Sequence, residues 1–419
     1  MKWGQPITGT KRKISYAWIA TIAGAFIVFI AGNFQYTFGV FLKPLIYKFG
    51  WSRAAISAAV TSRSIASSIA SPFAGILGDR YGHRRVMLVG IGLVGLGYLL
   101  AARVTSLWQL YIFLGALVGL GMPAFYVPLV TIITGWFGPK SSFPNGIIAS
   151  GFGWAQIIVP PVMTYLLLKY GLATSCVILG AAVLVLGAAA WSFVKTPPEK
   201  SGPPQPGKNM PEVMTIPDET NYTLSEALHT PAVWLLCLVQ AIIAAAFQMV
   251  VIHVIAAATD TGITAEVAAT ILTISGITNT LGRLTLGGLA VKVGNRVVLT
   301  ICVALQALAL YMLTGASDLN VFYAATMLHG FGYGGVIPII ATLTGAFYGT
   351  RSMGSIYGVV NTSYTAGGII GPILAGYIFD VTGSYRIAFT YAAIATTVAF
   401  VLCLVLRPPR RKAAPGYEG

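Results

Sequence analysis

Apolar stretches recur along the whole chain, at 16–46, 52–78, 86–104, 107–137, 142–168, 171–194, 230–258, 264–291, 296–315, 319–347, 352–379 and 386–406. Each is long enough to cross about 30 Å of hydrocarbon as a helix. Nothing else in the sequence constrains the fold so tightly, because backbone polar groups in lipid must bond within their own segment. The expectation is an all-α membrane protein with twelve transmembrane helices. Composition agrees: 56% hydrophobic and 9% charged residues leave too little polar surface to cover a water-soluble globule of 419 residues. The first run exceeds a signal-peptide core and flows into a second span, so it reads as a retained helix. Cys176, Cys237, Cys302 and Cys403 are scattered through separate spans without metal or redox spacing and read as small apolar packers.

Charge fixes the expected orientation. With the N-terminus inside, eighteen of the 26 Lys and Arg fall in inside segments, from Lys2 to Lys412. That bias predicts both termini in the cytoplasm. A net charge of +15 also raises nucleic acid as a partner. The cations are dealt out among short loops rather than massed on one soluble domain, so topology explains them better.

One segment, 195–223, is rich in proline and polar residues and reads as a cytoplasmic linker. It divides the chain into an N-terminal six-helix bundle, 1–194, and a C-terminal bundle with its tail, 224–419. Thr223 or Ser225 is placed to cap a short surface helix beyond it. The halves are also related in sequence. SPFAGILGDRYGHR, residues 71–84, can be laid on RLTLGGLAVKVGNR, residues 283–296, so that Gly75, Gly82 and Arg84 fall on Gly287, Gly294 and Arg296. A looser pair relates NGIIASGFG at 145–153 to YGVVNTSYT at 357–365. Duplicated six-span halves are a transporter architecture with a site near the midplane.

Arg283 interrupts an apolar span eight residues from its expected end, about 12 Å deep at the helical rise. A cation at that depth costs about 2.5–3.5 kcal/mol on insertion scales and needs a partner or a wet cavity. Asn279, one turn earlier, shares its face and can bond it without cancelling its charge. All eleven acidic residues lie in loops, tails or near span ends. A carboxylate substrate fits the planar fork of the guanidinium through two parallel hydrogen bonds. Arg63, midway along the second span, reads equally as a second anion contact or a structural cation.

GDRYGHRR at 78–85 and its degenerate second copy resemble the loop signature of the major facilitator superfamily. FQYTFGVFLKP at 34–44, WF with NGIIASGFG at 136–153, the GR of span 8, and the run 357–386 are similar to its monocarboxylate transporter and oxalate:formate exchanger branches. The resemblance implies that Arg283 binds a substrate carboxylate. Polar and aromatic residues inside the spans, Gln35, Tyr36, Tyr126, Phe152, Phe331, Tyr333 and Tyr364, are expected to wall a small pocket whose rings exclude large ligands while hydroxyls donate to an anion, and Gln35, Tyr36 and Tyr126 resemble polar pocket residues of the oxalate-exchanging branch. Exchangers of oxalate carry a lysine at the position of Tyr364, so a monoanion such as lactate, pyruvate or acetate is the expected substrate. Asp79, with Arg80 and Arg84, is expected to form a charge cluster that closes the cytoplasmic side. Val291 replaces the acid in the second copy, which should weaken or remove the matching cluster.

Proton-coupled relatives often carry Asp where this chain has Asn279. The proton is then left to a histidine, His253 or His329, to a water chain, or to the substrate itself. The combined expectation is a proton-coupled symporter of small monocarboxylates working by alternating access. It would be monomeric and without cofactor or metal, in the lipid bilayer of a bacterial inner membrane. An oxalate:formate type of anion exchanger is the alternative, and a nontransporting sensor a remote one. An enzyme is not expected, since the spans hold no acid, metal or nucleophile constellation.

Overall fold

A computed structural model of the chain describes residues 16–31, 34–197 and 221–409. Among the described residues, the expected spans are helical over nearly all of their length. Helix α1 is Tyr16–Ala31, α2 Phe34–Phe49, α3 Arg53–Tyr81 and α4 His83–Ala101. Helix α5 runs through Leu107–Leu110, a π-helical stretch Tyr111–Leu117 and Val118–Phe137. One continuous helical segment, Ser142–Ser192, breaks at Gly171, where φ is 75° and ψ 173°. Its limbs are α6 (142–170) and α7 (172–192). The short α8 is Leu224–Leu228, followed by α9 Pro231–Asp260, α10 Ala265–Val293, α11 Asn295–Thr314, α12 Leu319–Tyr348, α13 Met353–Thr382 and α14 Tyr385–Val405.

Local chemistry explains the ends. Ser52 caps α3 by accepting from Ala55 N at 3.2 Å. Thr223 and Glu226 form a reciprocal capping box that starts α8. The duplicated loops stop α3 and α10 in the same way: Gly82 and Gly294 take φ of 95° and 106°, a region open to glycine and strained for other residues. The repeat seen in the sequence is thus a repeat of backbone conformation.

Eight of these segments are long and apolar enough to cross a membrane by composition alone. Helices α1 and α2 are too short singly, and α3 and α10 are diluted by polar residues, of which Ser64, Ser67 and Ser71 in α3 and Ser275, Asn279 and Arg283 in α10 are buried. Side chains on the outside are apolar: Leu168 is 85% exposed and Val185 67%. An exposed apolar belt on this scale belongs against lipid tails. Inside, the first six spans share a core that includes Ile27, Met87, Tyr98, Phe125 and Ile148. The last six pack around Leu236, Leu299, Ile340 and Phe389.

The two bundles meet along a pseudo-symmetric seam. Helix α3 crosses α13 so closely that a Cβ on Gly75 would lie 1.9 Å from the Gly354 carbonyl oxygen. Helix α6 crosses α10 likewise, with a Cβ on Gly146 falling 2.2 Å from the Arg283 carbonyl oxygen. Only glycine permits either approach. Hydrogen bonds tie the same half of the seam, where Asn361 Nδ2 donates to Ser71 Oγ at 2.9 Å and Ser141 Oγ donates to Thr342 Oγ1 at 3.0 Å. These contacts occupy the face that carries the 78–85 loop and the described linker ends, 195–197 and 221–223, so that face is closed.

Candidate functional site

Above the closed seam, near mid-depth, the bundles part around a cavity of about 170 Å³. Helices α3, α5 and α6 supply one wall, and α9, α10, α12 and α13 the other. Arg283 lies ten residues from the end of α10, about 15 Å at the helical rise. Its side chain is 7% exposed. The guanidinium is braced on three sides. Nε donates to Asn279 Oδ1 at 2.8 Å, Nη1 donates to the Ala149 carbonyl of the opposite bundle, and Phe152 presents its ring at 5.9 Å. Two of the five N–H donors of the guanidinium are taken in this way. Among the described residues, no carboxylate lines the cavity.

The aromatic wall is built in pairs. Tyr126 and Phe152 lie with ring centroids 5.5 Å apart, and Tyr333 donates its hydroxyl to Tyr364 at 3.0 Å. Phe247 stacks on Tyr333 at 3.5 Å and holds it against the cavity. Arg63 of α3 joins the same cavity from the first bundle, with Nη1 3.4 Å from Met122 Sδ.

The sequence-derived residues therefore divide. Arg283, Arg63, Tyr126, Phe152, Tyr333 and Tyr364 line the cavity. Asn279 stands behind Arg283 and orients it rather than facing the space. Phe331 is a correction: it packs into the C-terminal core, its carbonyl meeting α10 at Gly282, and does not line the cavity. Gln35 and Tyr36 fall in α2, and their side chains lie outside the described residues.

Both histidines are set apart from the cavity. His253 braces the C-terminal bundle, with Nε2 3.0 Å from the Pro372 carbonyl and Nδ1 3.3 Å from the Tyr385 hydroxyl. His329 is fully buried in α12, parallel to Phe247 at 5.7 Å, with neither ring nitrogen hydrogen-bonded among the described residues.

The sequence reading missed Ser64, Ser67, Gln248, Asn361 and Thr365, which also line the cavity. A signal existed. Asn361, Tyr364, Thr365 and Gly368 recur at i, i+3, i+4 and i+7, the stripe of one helical face.

The gate differs from the cluster expected of it. Asp79 accepts from Gly354 N at 3.1 Å, from Ser355 N at 2.7 Å and from Ser355 Oγ, so it caps the N-terminus of α13 across the seam. His83 Nε2 lies 3.4 Å from the same carboxylate. Arg80 and Arg84 turn instead to the rings of Tyr81 and Trp191, at 5.3 and 4.6 Å. In the second copy the corresponding crossing is neutral: Ser142 Oγ donates to Asn295 Oδ1, and Asn295 Nδ2 donates to the Pro139 carbonyl at 3.1 Å.

Comparison with known proteins gives matches over the same extent. The model of the Major Facilitator Superfamily matches residues 24–256 and 236–419. An uncharacterized MFS-type transporter of Escherichia coli (strain K12), YhjX, is 27% identical over 358 residues, spanning 83% of this chain and 85% of its own. Monocarboxylate transporter 4 of Gallus gallus is 28% identical over 395 residues, spanning 90% and 80%. Monocarboxylate transporter 13 of Bos taurus is 25% identical over 382 residues, spanning 90% and 86%. Among solved structures, the transporter FucP in its outward conformation aligns with a TM-score of 0.73 at 18% identity, over 94% of this chain and 99% of that one. The proton:xylose symporter XylE aligns with a TM-score of 0.71 at 12% identity, over 93% and 96%.

Proposed function

This chain belongs to the Major Facilitator Superfamily, and on that premise we propose that it carries small monocarboxylates of the lactate, pyruvate or acetate kind across a cell membrane by alternating access. One observation carries the reading. Arg283 presents its guanidinium to a cavity whose lining, among the described residues, has no carboxylate, and Asn279 and Ala149 hold its fork in place. Three N–H donors remain once those two bonds are counted, enough for a bidentate carboxylate. Relatives named as monocarboxylate transporters support the substrate class. Cavity size and its aromatic walls favour a short acid over a long one.

We assign the linker face to the cytoplasm, on the distribution of Lys and Arg, so the closed seam corresponds to an outward-facing state. The division into bundles 1–194 and 224–419 joined by 195–223 follows from the same reading. Proton symport is favoured over obligatory exchange by the bonds Arg283 already makes. Asn279 and the Ala149 carbonyl partly satisfy the guanidinium without substrate, which lowers the barrier to return of the empty carrier. Neither histidine faces the cavity, so the proton travels with the acid or along water.

The test is Arg283→Lys, which keeps the charge and loses the fork. Uptake of lactate, pyruvate and acetate into proteoliposomes should collapse while membrane insertion stays normal. Unchanged uptake kinetics would place the anchor elsewhere. Uptake driven by a proton gradient alone, with no internal anion, is expected; its absence, with countertransport intact, would identify an exchanger.

A further inference from the structure

We propose that the face opposite the linker carries a charge latch: when the bundles close there, Lys48 and Lys169 of the N-terminal bundle pair with Asp380 and Asp260 of the C-terminal bundle. The inference rests on the alternation of the two bundles proposed above and is independent of the substrate.

The sequence sorts its charges on this face by half. The N-terminal connections 47–53, 102–106 and 168–172 hold Lys48, Arg53, Arg103 and Lys169 and no acid. Their counterparts in the second half, 260–266, 315–318 and 380–386, hold Asp260, Glu266, Asp318 and Asp380 against one cation, Arg386. Topology does not require this contrast, since acids weigh little in the positive-inside bias.

The fold sets the two signs opposite each other. Along the seam α3 packs on α13 and α6 on α10. Lys48 lies in the last turn of α2, just before α3 begins, and Asp380 lies in the last turn of α13. Lys169 lies in the last turn of α6, and Asp260 ends α9 just before α10 begins. Each seam pair therefore finishes, on this face, with a cation on one bundle and an acid on the other.

All four side chains are exposed, and among the described residues none of them makes an ion pair. Lys169 Nζ donates to the Tyr165 hydroxyl at 3.1 Å and lies 5.2 Å from the Tyr170 ring. Lys48 Nζ stands 5.1 Å from the ring of Phe49, which stacks on Trp51. Rings hold both cations without neutralising them. Asp260 and Asp380 lie close enough to the Tyr385 hydroxyl to act on it electrostatically, so acids from two helices share one patch. Both stand at helix C-termini, where the macrodipole disfavours an acid. Asp318, by contrast, caps α12 and has a local role. Closure of this face would give Asp260 and Asp380 the partners they lack while the bundles stand apart. Exposed charges attract within about one Debye length, about 10 Å in ~0.1 M salt, so such a latch is sensitive to salt.

Double electron–electron resonance on the full-length protein in nanodiscs tests this, with spin labels at T105C and S317C, exposed loop positions on this face in opposite bundles. Wild type should show a short-distance population that falls about threefold between low salt and about 1 M salt, where the screening length is about 3 Å. Lys48→Glu with Lys169→Glu should reduce that population about threefold or more at low salt. Adding Asp260→Lys with Asp380→Lys should restore it to within about twofold of wild type, because the pairs are re-formed with their signs exchanged. Two populations whose ratio ignores both salt and charge reversal would overturn the latch and leave alternation standing. Exchanged charges that fail to restore the ratio would overturn the pairing. A single population in every variant and at every salt would count against alternation as well as the latch. If the reversed variants do not insert, the salt titration of wild type decides alone, and an unchanged ratio there sinks the latch.

Discussion

Asn279 does for Arg283 what a fixed carboxylate cannot: it accepts from Nε at 2.8 Å and orients the fork without neutralising it, as the proposed binding of a carboxylate requires. Removing it with Asn279→Ala forfeits one hydrogen bond to a charged group, about 1.5–3 kcal/mol. Lactate affinity should fall roughly tenfold or more on that scale, measured by titration, with membrane insertion unchanged. Asn279→Asp makes a sharper prediction. At neutral pH its carboxylate would ionise against Arg283 and compete with the substrate; acid would protonate it and release the arginine. Lactate uptake by this variant should therefore be weak at neutral pH and recover as pH falls, more steeply than in wild type. A flat pH profile relative to wild type would show that Arg283 does not meet the substrate. The place of Arg283 on the cavity was readable from sequence, because a cation inside an apolar run needs a partner or a wet cavity. Phe331 and Tyr333 were not separable there: two residues apart in a span that is apolar all round, they face core and cavity according to a helix rotation that only packing sets.

Helices were the most legible elements, because bilayer thickness dictates their length and glycines mark their ends. The departures from plain α-helix have tertiary causes. In α5 the π-helical stretch begins at Tyr111, whose carbonyl accepts from Ser62 Oγ at 2.9 Å while its hydroxyl donates to the Ala55 carbonyl at 2.8 Å. The widened turn is matched to α3, a neighbour invisible in the local sequence. Gly115 completes the fit, since a Cβ there would sit 2.1 Å from Ser62 Oγ. Gly115→Val should overpack this crossing and cost about 1–3 kcal/mol. The melting temperature in detergent should drop, and Ser62→Ala in the same chain should restore part of the loss by clearing the contact. A variant melting like wild type would mean that α3 and α5 adjust freely here.

Across the whole molecule the duplicated sequence becomes two crossings with different chemistry. The crossing of α3 with α13 is locked by an acidic side chain capping a helix N-terminus; the crossing of α6 with α10 is closed by amide and hydroxyl groups around Asn295. Sequence foretold the asymmetry, through Val291 standing opposite Asp79 in the repeat. It could not foretell that Asp79 would choose backbone N–H groups of α13 over the nearby Arg80 and Arg84, since that choice depends on how the bundles dock. Alternating access requires this lock to open, so its strength sets the balance between states. Asp79→Asn keeps the shape but trades charge-assisted bonds for neutral ones and loses one acceptor, a change of about 1–3 kcal/mol. The equilibrium should shift roughly tenfold or more toward the state open on the linker face. Spin labels at R85C and R351C, exposed positions on that face in opposite bundles, report it as a longer distance population. All four native cysteines are buried, which limits background labelling. Gly75→Ala should open the same face by steric force, through the 1.9 Å approach to Gly354. If Asp79→Asn leaves the distance distribution as in wild type while Gly75→Ala broadens it, packing rather than charge holds the gate shut.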